Sequence, residues 1–273
     1  MNTPEILPTR PHPVTDDTWL IPTLAAEPSG AFIGVHSLVI RGAQPALIDT
    51  GSLLVRDAWL EQVTAIVDPA DVRWIVLSHD DHDHIGNLDA ALELCPNATL
   101  VASFSITARL AGDVPLPLER MRWLEVGASL DLGDRTLTAV RPPMFDSPTT
   151  RGFYDSTSRV LWAADSFGAL VQGAVHEAAD VPADLWEGGF AALNSWNTPW
   201  LEWVDPARFA AHVAPTAALP LAAVASAHGP VLRGDGIADA FRRTIDLAGQ
   251  PPVPMPGPEL LDVMVSAALA PAA

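Results

Sequence analysis

The run His79-Asp80-Asp81-His82-Asp83-His84 contains only imidazole and carboxylate side chains. These are the groups that hold first-row metal ions. Gathered without a cation they would crowd like charges and gain little. The run follows Arg73-Trp-Ile-Val-Leu77, an apolar stretch that reads as a buried strand. It precedes Ile85 to Leu94, whose apolar residues recur at helical spacing. The expectation is a metal-binding loop at a strand-to-helix junction, where loops commonly carry function. Other acidic or imidazole residues end further apolar runs: Asp49 before Gly51, Asp165 after Arg159 to Ala164, and His228 after Ala222 to Ser226. Asp146 lies in a polar stretch between two strand-like segments.

These groups must be positioned by the elements around them. Residues 31–40 and 45–49 read as paired strands, with Gly42-Ala-Gln-Pro as their turn. Residues 54–67 read as a helix and 74–78 as the strand entering the loop. Residues 99–102 form another strand, followed by a helix near 106–111. Residues 128–140 alternate like a hairpin turning at Gly133-Asp134. Strands at 159–164 and 222–226 flank a Trp-rich segment, 183–203, that is helical in part. Helices near 237–248 and 258–269 close the chain. Strands alternating with helices define an α/β protein with its polar residues on one edge of the sheets. Residues 1–17, rich in Pro and Thr, are expected to be an irregular N-terminal arm, and 18–273 a single domain.

Composition narrows the function. The net charge of -18 argues against nucleic-acid binding. There is no Lys, which removes Schiff-base chemistry and a P-loop lysine. The one cysteine, Cys95, excludes an internal disulfide and a multi-cysteine zinc site. No signal-peptide pattern and no membrane-length apolar run are read, so the expected location is cytoplasmic, away from membranes.

Asp49-Thr-Gly51, the 79–84 loop, Asp165-Ser-Phe-Gly168 and Ala227-His-Gly-Pro230 occur in the order found in metallo-β-lactamase-fold proteins. The chain resembles that superfamily over roughly residues 18–235. The usual loop there is His-x-His-x-Asp-His, which binds two metals, commonly zinc. Here its second His is Asp81. A carboxylate at that position resembles the diiron branch, the flavodiiron and stand-alone oxygen-binding diiron proteins, which carry Glu there. The spacing from Asp83 to Asp146 to Asp165 is similar to that branch, except that Asp146 replaces a His. Asp165-Ser-Phe-Gly168 is similar to the segment around its bridging Asp.

The resemblance implies a metallo-β-lactamase-like αββα sandwich. It implies one metal held by His79, Asp81 and Asp146, and another by Asp83, His84 and His228, with Asp165 bridging. Asp165 and His84 are carried over as the catalytic positions. Because the equivalent His stays off the metal in some diiron relatives, the role of His84 stays open. Asp81, Asp83, Asp146 and Asp165 would balance two divalent cations, and an oxygen-rich set favours iron or manganese over zinc. The expected cofactor is therefore two divalent transition metals, iron preferred, with manganese or zinc as alternatives.

Other residues carry lesser expectations. Were the loop extended, Asp80 and His82 would point away from the site. Asp49 is expected to support the loop by hydrogen bonding. His36 is read as a packed histidine, and His176 and Tyr154 as candidates to line a pocket. Trp186, Trp196, Trp200 and Trp203 are read as core or lid. Arg151 either pairs with Asp155 or offers its guanidinium to an anionic substrate.

Three functions compete. The first is a non-haem diiron protein that binds or reduces dioxygen, nitric oxide or a related small oxidant. The chain shows neither the length for a flavodoxin domain nor a cysteine pattern for an iron-sulfur centre, so its electrons would come from a separate redox partner. The second is a hydrolase of an ester, lactone or phosphodiester using a metal-bridging hydroxide. The third is a non-enzymatic oxygen or redox sensor. A homodimer is compatible with all three.

Overall fold

Along residues 37–40, Leu38 and Ile40 enter one apolar core while Val39 enters another. Leu161 and Trp162 divide in the same way between two cores. A strand shows its side chains alternately to its two faces, so these sheets are buried on both sides.

The computed structural model describes residues 6–27 and 30–269. In chain order the first strands are β1 (Ile6–Pro8), β2 (His12–Pro13), β3 (Thr18–Ile21), β4 (Thr23–Ala26), β5 (Phe32–Gly34), β6 (Ser37–Ile40), β7 (Ala46–Ile48) and β8 (Trp74–Val76). They continue with β9 (Thr99–Ala102), β10 (Met121–Trp123), β11 (Ser129–Asp131), β12 (Thr136–Val140), β13 (Gly152–Asp155), β14 (Val160–Trp162), β15 (Ala223–Ala225) and β16 (Leu232–Arg233). The helices are α1 (Arg56–Ile66), α2 (His82–Ile85), α3 (Leu88–Leu94), α4 (Phe104–Leu110), α5 (Ala183–Asn197), α6 (Pro206–Ala217), α7 (Asp235–Asp246) and α8 (Pro258–Leu269).

A seven-stranded sheet runs β10-β9-β8-β7-β6-β3-β2, and a six-stranded sheet runs β11-β12-β13-β14-β15-β16. Between them lies a core that includes Leu38, Ile48, Val76, Leu137, Phe153 and Trp162. The outer face of the larger sheet, at Leu47, Ile75 and Leu100, packs on Trp59 and Val63 of α1, Leu88 of α3 and Ile106 of α4. The outer face of the smaller sheet, at Leu161, Val224 and Leu232, packs on Phe190 of α5, Val213 of α6 and Phe241 of α7. The result is the four-layered αββα sandwich. Strands β7, β8 and β9 run parallel, as do β14 and β15. Their carboxyl ends lead into Asp49, His79, Asp165 and His228, which places the chemistry at one end of the sandwich. Among the described residues, no helix is long and apolar enough to cross a membrane.

Three local features differ from expectation. The N-terminal arm is not irregular over residues 6–13: β1 pairs with β4, and β2 with β3. Both are edge strands, where proline is tolerated because one side of the backbone has no partner. The rest of the arm before residue 6 lies outside the described residues. The stretch 31–40 is two strands in different sheets, β5 beside β4 and β6 between β3 and β7. The metal loop turns helical at His82, three residues before the expected helix start.

Candidate metal centre

Leu77-Ser78-His79 leaves β8 as buried chain, and Asp81, with extended backbone (φ −75°, ψ 150°), caps the turn α2. His79 and Asp81 therefore share a side, and Asp80 faces the other. From His82 the helical turn resets the directions. It brings Asp83 and His84 into the site and leaves His82 exposed. Asp80 and His82 thus both point away as expected, but beyond Asp81 it is a helical turn and not an extended backbone that directs the side chains.

Three sets of ligand-type atoms converge, each within 4.8 Å of one another: His79, Asp81 and Asp146; Asp83, His84 and His228; and His79, His84 and Asp165. Asp165 is central. Its Oδ1 lies 3.0 Å from His84 Nε2 and 3.2 Å from His228 Nε2, and its Oδ2 lies 3.2 Å from His79 Nε2. Asp83 Oδ2 is 3.7 Å from His84 Nε2 and 3.6 Å from His228 Nε2. Asp81 Oδ2 is 3.8 Å from His79 Nε2. Every sequence-derived candidate ligand is brought to this cluster.

The outward nitrogen of each histidine sets what the inward one can do. His228 Nδ1 donates to the carbonyl of Gly34 at 2.7 Å. His84 Nδ1 donates to Asp49 Oδ2 at 3.0 Å. Ser78 Oγ gives its proton to Asp49 Oδ2 at 2.6 Å, so at 2.9 Å it accepts from His79 Nδ1. Each neutral ring therefore carries its proton on Nδ1 and turns an Nε2 lone pair into the site. His79 Nε2, His84 Nε2 and Asp165 Oδ1 are buried with no hydrogen-bond partner. Buried polar atoms are rarely left unpaired, and groups that need a partner here are those a metal would supply. The residues present therefore fit a pair of metal ions.

Electrostatics point the same way. Burial would raise the Asp165 carboxyl, yet His79, His84 and His228 hold it well below the usual range. Burial would lower His84, but Asp83, Asp165 and Asp49 push it well up. His228, also desolvated, is pushed up to about 9 by Asp165. Asp83 is lowered against its own burial by His84 and His228. Asp146 is raised by burial and by Asp165. Without metal, the raised His84 and His228 imidazoles offset the carboxylates' charge, a role that metal ions would take over.

Asp49 supports the loop as expected, and more widely. With φ at 59° and no exposure, it accepts from Ser78 N–H (2.7 Å), Ser78 Oγ, His84 Nδ1 and Trp162 Nε1 (3.0 Å). Ser78 and Trp162 were not singled out in the sequence. Only their position beside a strand end preceding a ligand could have marked them.

Arg151 takes neither expected role. Asp155 is held by Arg135 at 3.1 Å. Arg151 is buried and donates to the carbonyls of Leu77, at 2.6 Å, and Leu124, tying the strand before the loop to its neighbours. His36 is buried between β5 and β6, and its Nδ1 accepts from Thr23 N–H at 3.1 Å. Burial and the neighbouring His228 push it down to about 3, so it is a neutral packed histidine. His176 packs beside His12, with ring centroids 5.1 Å apart, and Tyr154 lies in the outer core. Trp186 is core, Trp203 is 80% exposed, and Trp200 donates to the carbonyl of Phe145, next to Asp146.

The αββα sandwich with imidazoles and carboxylates at shared strand ends is a metallo-β-lactamase fold. Residues 35–229 match the profile described as ODP family beta lactamase, and the chain belongs to that family. Diflavin flavoprotein A 1 of Synechocystis sp. is 28% identical over 200 residues, covering 72% of this chain and 34% of that protein. The flavodiiron protein of Giardia intestinalis superposes with a TM-score of 0.75 at 18% identity, over 88% of this chain and 59% of that one. Rubredoxin oxygen:oxidoreductase from Desulfovibrio gigas superposes with a TM-score of 0.77 at 18% identity, over 89% and 63%. The chain thus spans about a third of that curated relative and about three fifths of those two structures.

Proposed function

We propose that the chain is a non-haem diiron protein that reduces dioxygen, or a related small oxidant such as nitric oxide, with electrons from a separate redox partner. The observation that carries this reading is the ligand set: three histidine Nε2 atoms and three carboxylates gathered around a fourth, Asp165. His79, Asp81 and Asp146 would hold one iron, and Asp83, His84 and His228 the other, with Asp165 between them. His84 is assigned to the metal because Asp49 fixes its proton on the far nitrogen. Iron would supply the redox chemistry. The chain's own residues set the charge: four carboxylates balance two divalent ions. Names of similar proteins support this reading, one a diflavin flavoprotein and another a rubredoxin oxygen:oxidoreductase. A cytoplasmic setting suits the free thiol of Cys95.

The test is metal analysis of protein expressed with ample iron, followed by reduction and exposure to oxygen. About two ions per chain, mostly iron, and oxygen uptake by the reduced protein are the expected results. Asp165→Ala should abolish uptake. Asp81→His with Asp146→His should move occupancy towards zinc. Two zinc ions, no oxygen reaction after iron loading, and fast ester or lactone hydrolysis would replace this reading with a hydrolase.

A further inference from the structure

Asp146 is exposed and sits on a loop, yet it must meet His79 and Asp81, which leave a buried strand. Something must hold that loop at the right height. We propose that Asp80 is the positioning residue that does so, and that it sets the affinity of the subsite made by His79, Asp81 and Asp146. This inference rests on the metal-centre reading above and assigns a role to a residue outside the ligand set.

Asp80 lies between two of the candidate ligands, and its side chain, 5% exposed, faces the opposite way. One carboxylate oxygen, Oδ2, pairs with Arg109 of α4. The other, Oδ1, accepts from Thr149 Oγ1 at 2.7 Å. With its proton committed to Asp80, Thr149 Oγ1 accepts from Ser147 Oγ, also at 2.7 Å. Ser147 Oγ in turn accepts from Thr149 N–H at 3.3 Å. Both hydroxyls are buried, so each proton has one place to go. Thr150 Oγ1 then donates to Asp146 Oδ1 at 3.2 Å. Hydrogen bonds thus run from α4 through Asp80 to Thr149 and Ser147; Thr150, joined to Thr149 through the backbone and donating its N–H to the Ser147 carbonyl at 3.1 Å, carries that hold on to the Asp146 carboxylate.

The same loop has a second anchor. Arg151 N–H donates to the carbonyl of Ser78 at 3.0 Å, and the Arg151 guanidinium grips Leu77. That anchor fixes the far end of the loop independently of Asp80. Loss of Asp80 should therefore free residues 146–149 without unseating the strand. The subsite of Asp83, His84 and His228 takes none of its support from this network: His84 rests on Asp49 and His228 on Gly34. Asp49 steadies His79 through Ser78 as well as His84, so what sets the first subsite apart is the support of Asp146, and that arm can be weakened alone.

The experiment compares the parent chain, Asp80→Ala, Asp80→Asn, Thr149→Val and Asp146→Ala. Each is stripped with chelator, reloaded anaerobically with iron(II), or in parallel with manganese(II), and dialysed. Bound metal is counted and titrated. The parent should hold about two ions. Asp80→Ala and Thr149→Val should fall towards one, as Asp146→Ala does, with affinity of the weaker subsite reduced about 10–100-fold. Asp80→Asn keeps an oxygen for Thr149 and should recover much of the loss. Thr149→Val leaves the Asp80–Arg109 pair intact, so it guards against a folding defect in Asp80→Ala. Two ions at parental affinity in both Asp80→Ala and Thr149→Val would overturn the inference while leaving the metal centre standing. Loss of both ions together in Thr149→Val would also overturn it, because the effect would be general. A parent that takes up no metal would overturn the metal-centre reading itself, and this inference with it.

Discussion

Replacing Asp49 by Asn removes one charge at the point where the metal loop is tied to both sheets. The backbone should tolerate it, since Asn accepts the left-handed conformation that Asp49 adopts at φ 59°. The hydrogen bonds should not. All four partners of Asp49 are donors: Ser78 N–H on Oδ1, and Ser78 Oγ, His84 Nδ1 and Trp162 Nε1 on Oδ2. An Asn amide has one accepting oxygen. In its better orientation that oxygen keeps three donors, and the NH2 group faces Ser78 N–H, 2.7 Å from the lost acceptor. One bond to a charged acceptor, worth about 1.5–3 kcal/mol, disappears and leaves a buried donor unpaired. The three survivors weaken, since bonds to an ionised acceptor are roughly twice as strong as neutral ones. Relief from burying a charge returns part of this. The net cost is about 2–4 kcal/mol. At about 2–4 °C per kcal/mol for a domain of this size, melting should fall by on the order of 10 °C. Thermal melts of chelator-treated protein isolate this term from metal binding. Iron(II) or manganese(II) affinity should fall about 10–100-fold as well, because a neutral amide polarises His84 less than a carboxylate does. A metal-free variant melting at the parental temperature, with parental metal affinity, would refute the reasoning.

Gly86→Ala should be costly although its φ of −58° suits any residue. A Cβ there would lie 2.3 Å from Leu53 N and 2.7 Å from Gly51 O, both backbone atoms, so the 79–86 loop must move. A loss of about 1–3 kcal/mol in denaturant melts, with weakened metal uptake, is the expected outcome, and parental behaviour would contradict it. Cys95 is buried and its thiol is pushed up to about 11 by desolvation. It should resist alkylation in the folded protein at neutral pH and react once in denaturant; rapid native labelling would show that α3 opens readily. His82→Ala, at an exposed site, should change stability by less than about 0.5 kcal/mol and leave metal content unchanged in the same loading assay.

Much of this site was written locally. The 79–84 run could be read because its ligands are contiguous and follow an apolar strand. Asp49, Asp165 and His228 could be read because each closes a strand, and a strand end is where a sheet gives way to loops. The α/β class followed from the alternation of strand and helix, while the αββα layering was implied by the resemblance to metallo-β-lactamase-fold proteins. The roles of polar residues around the ligands were not local. Trp162 reaches Asp49 across 113 residues of chain, and Thr149 reaches Asp80 across 69. Arg151 looked like a partner for nearby Asp155, but Arg135 claimed that carboxylate and the guanidinium turned instead to Leu77, 74 residues back. The prolines of residues 6–13 concealed two edge strands, because composition does not say which side of a strand goes unpaired. Residue type and period fix which groups can bind metal and which face of an element is buried. Which donor satisfies which buried acceptor is decided only when distant segments are packed together and each polar atom must find a partner or go without.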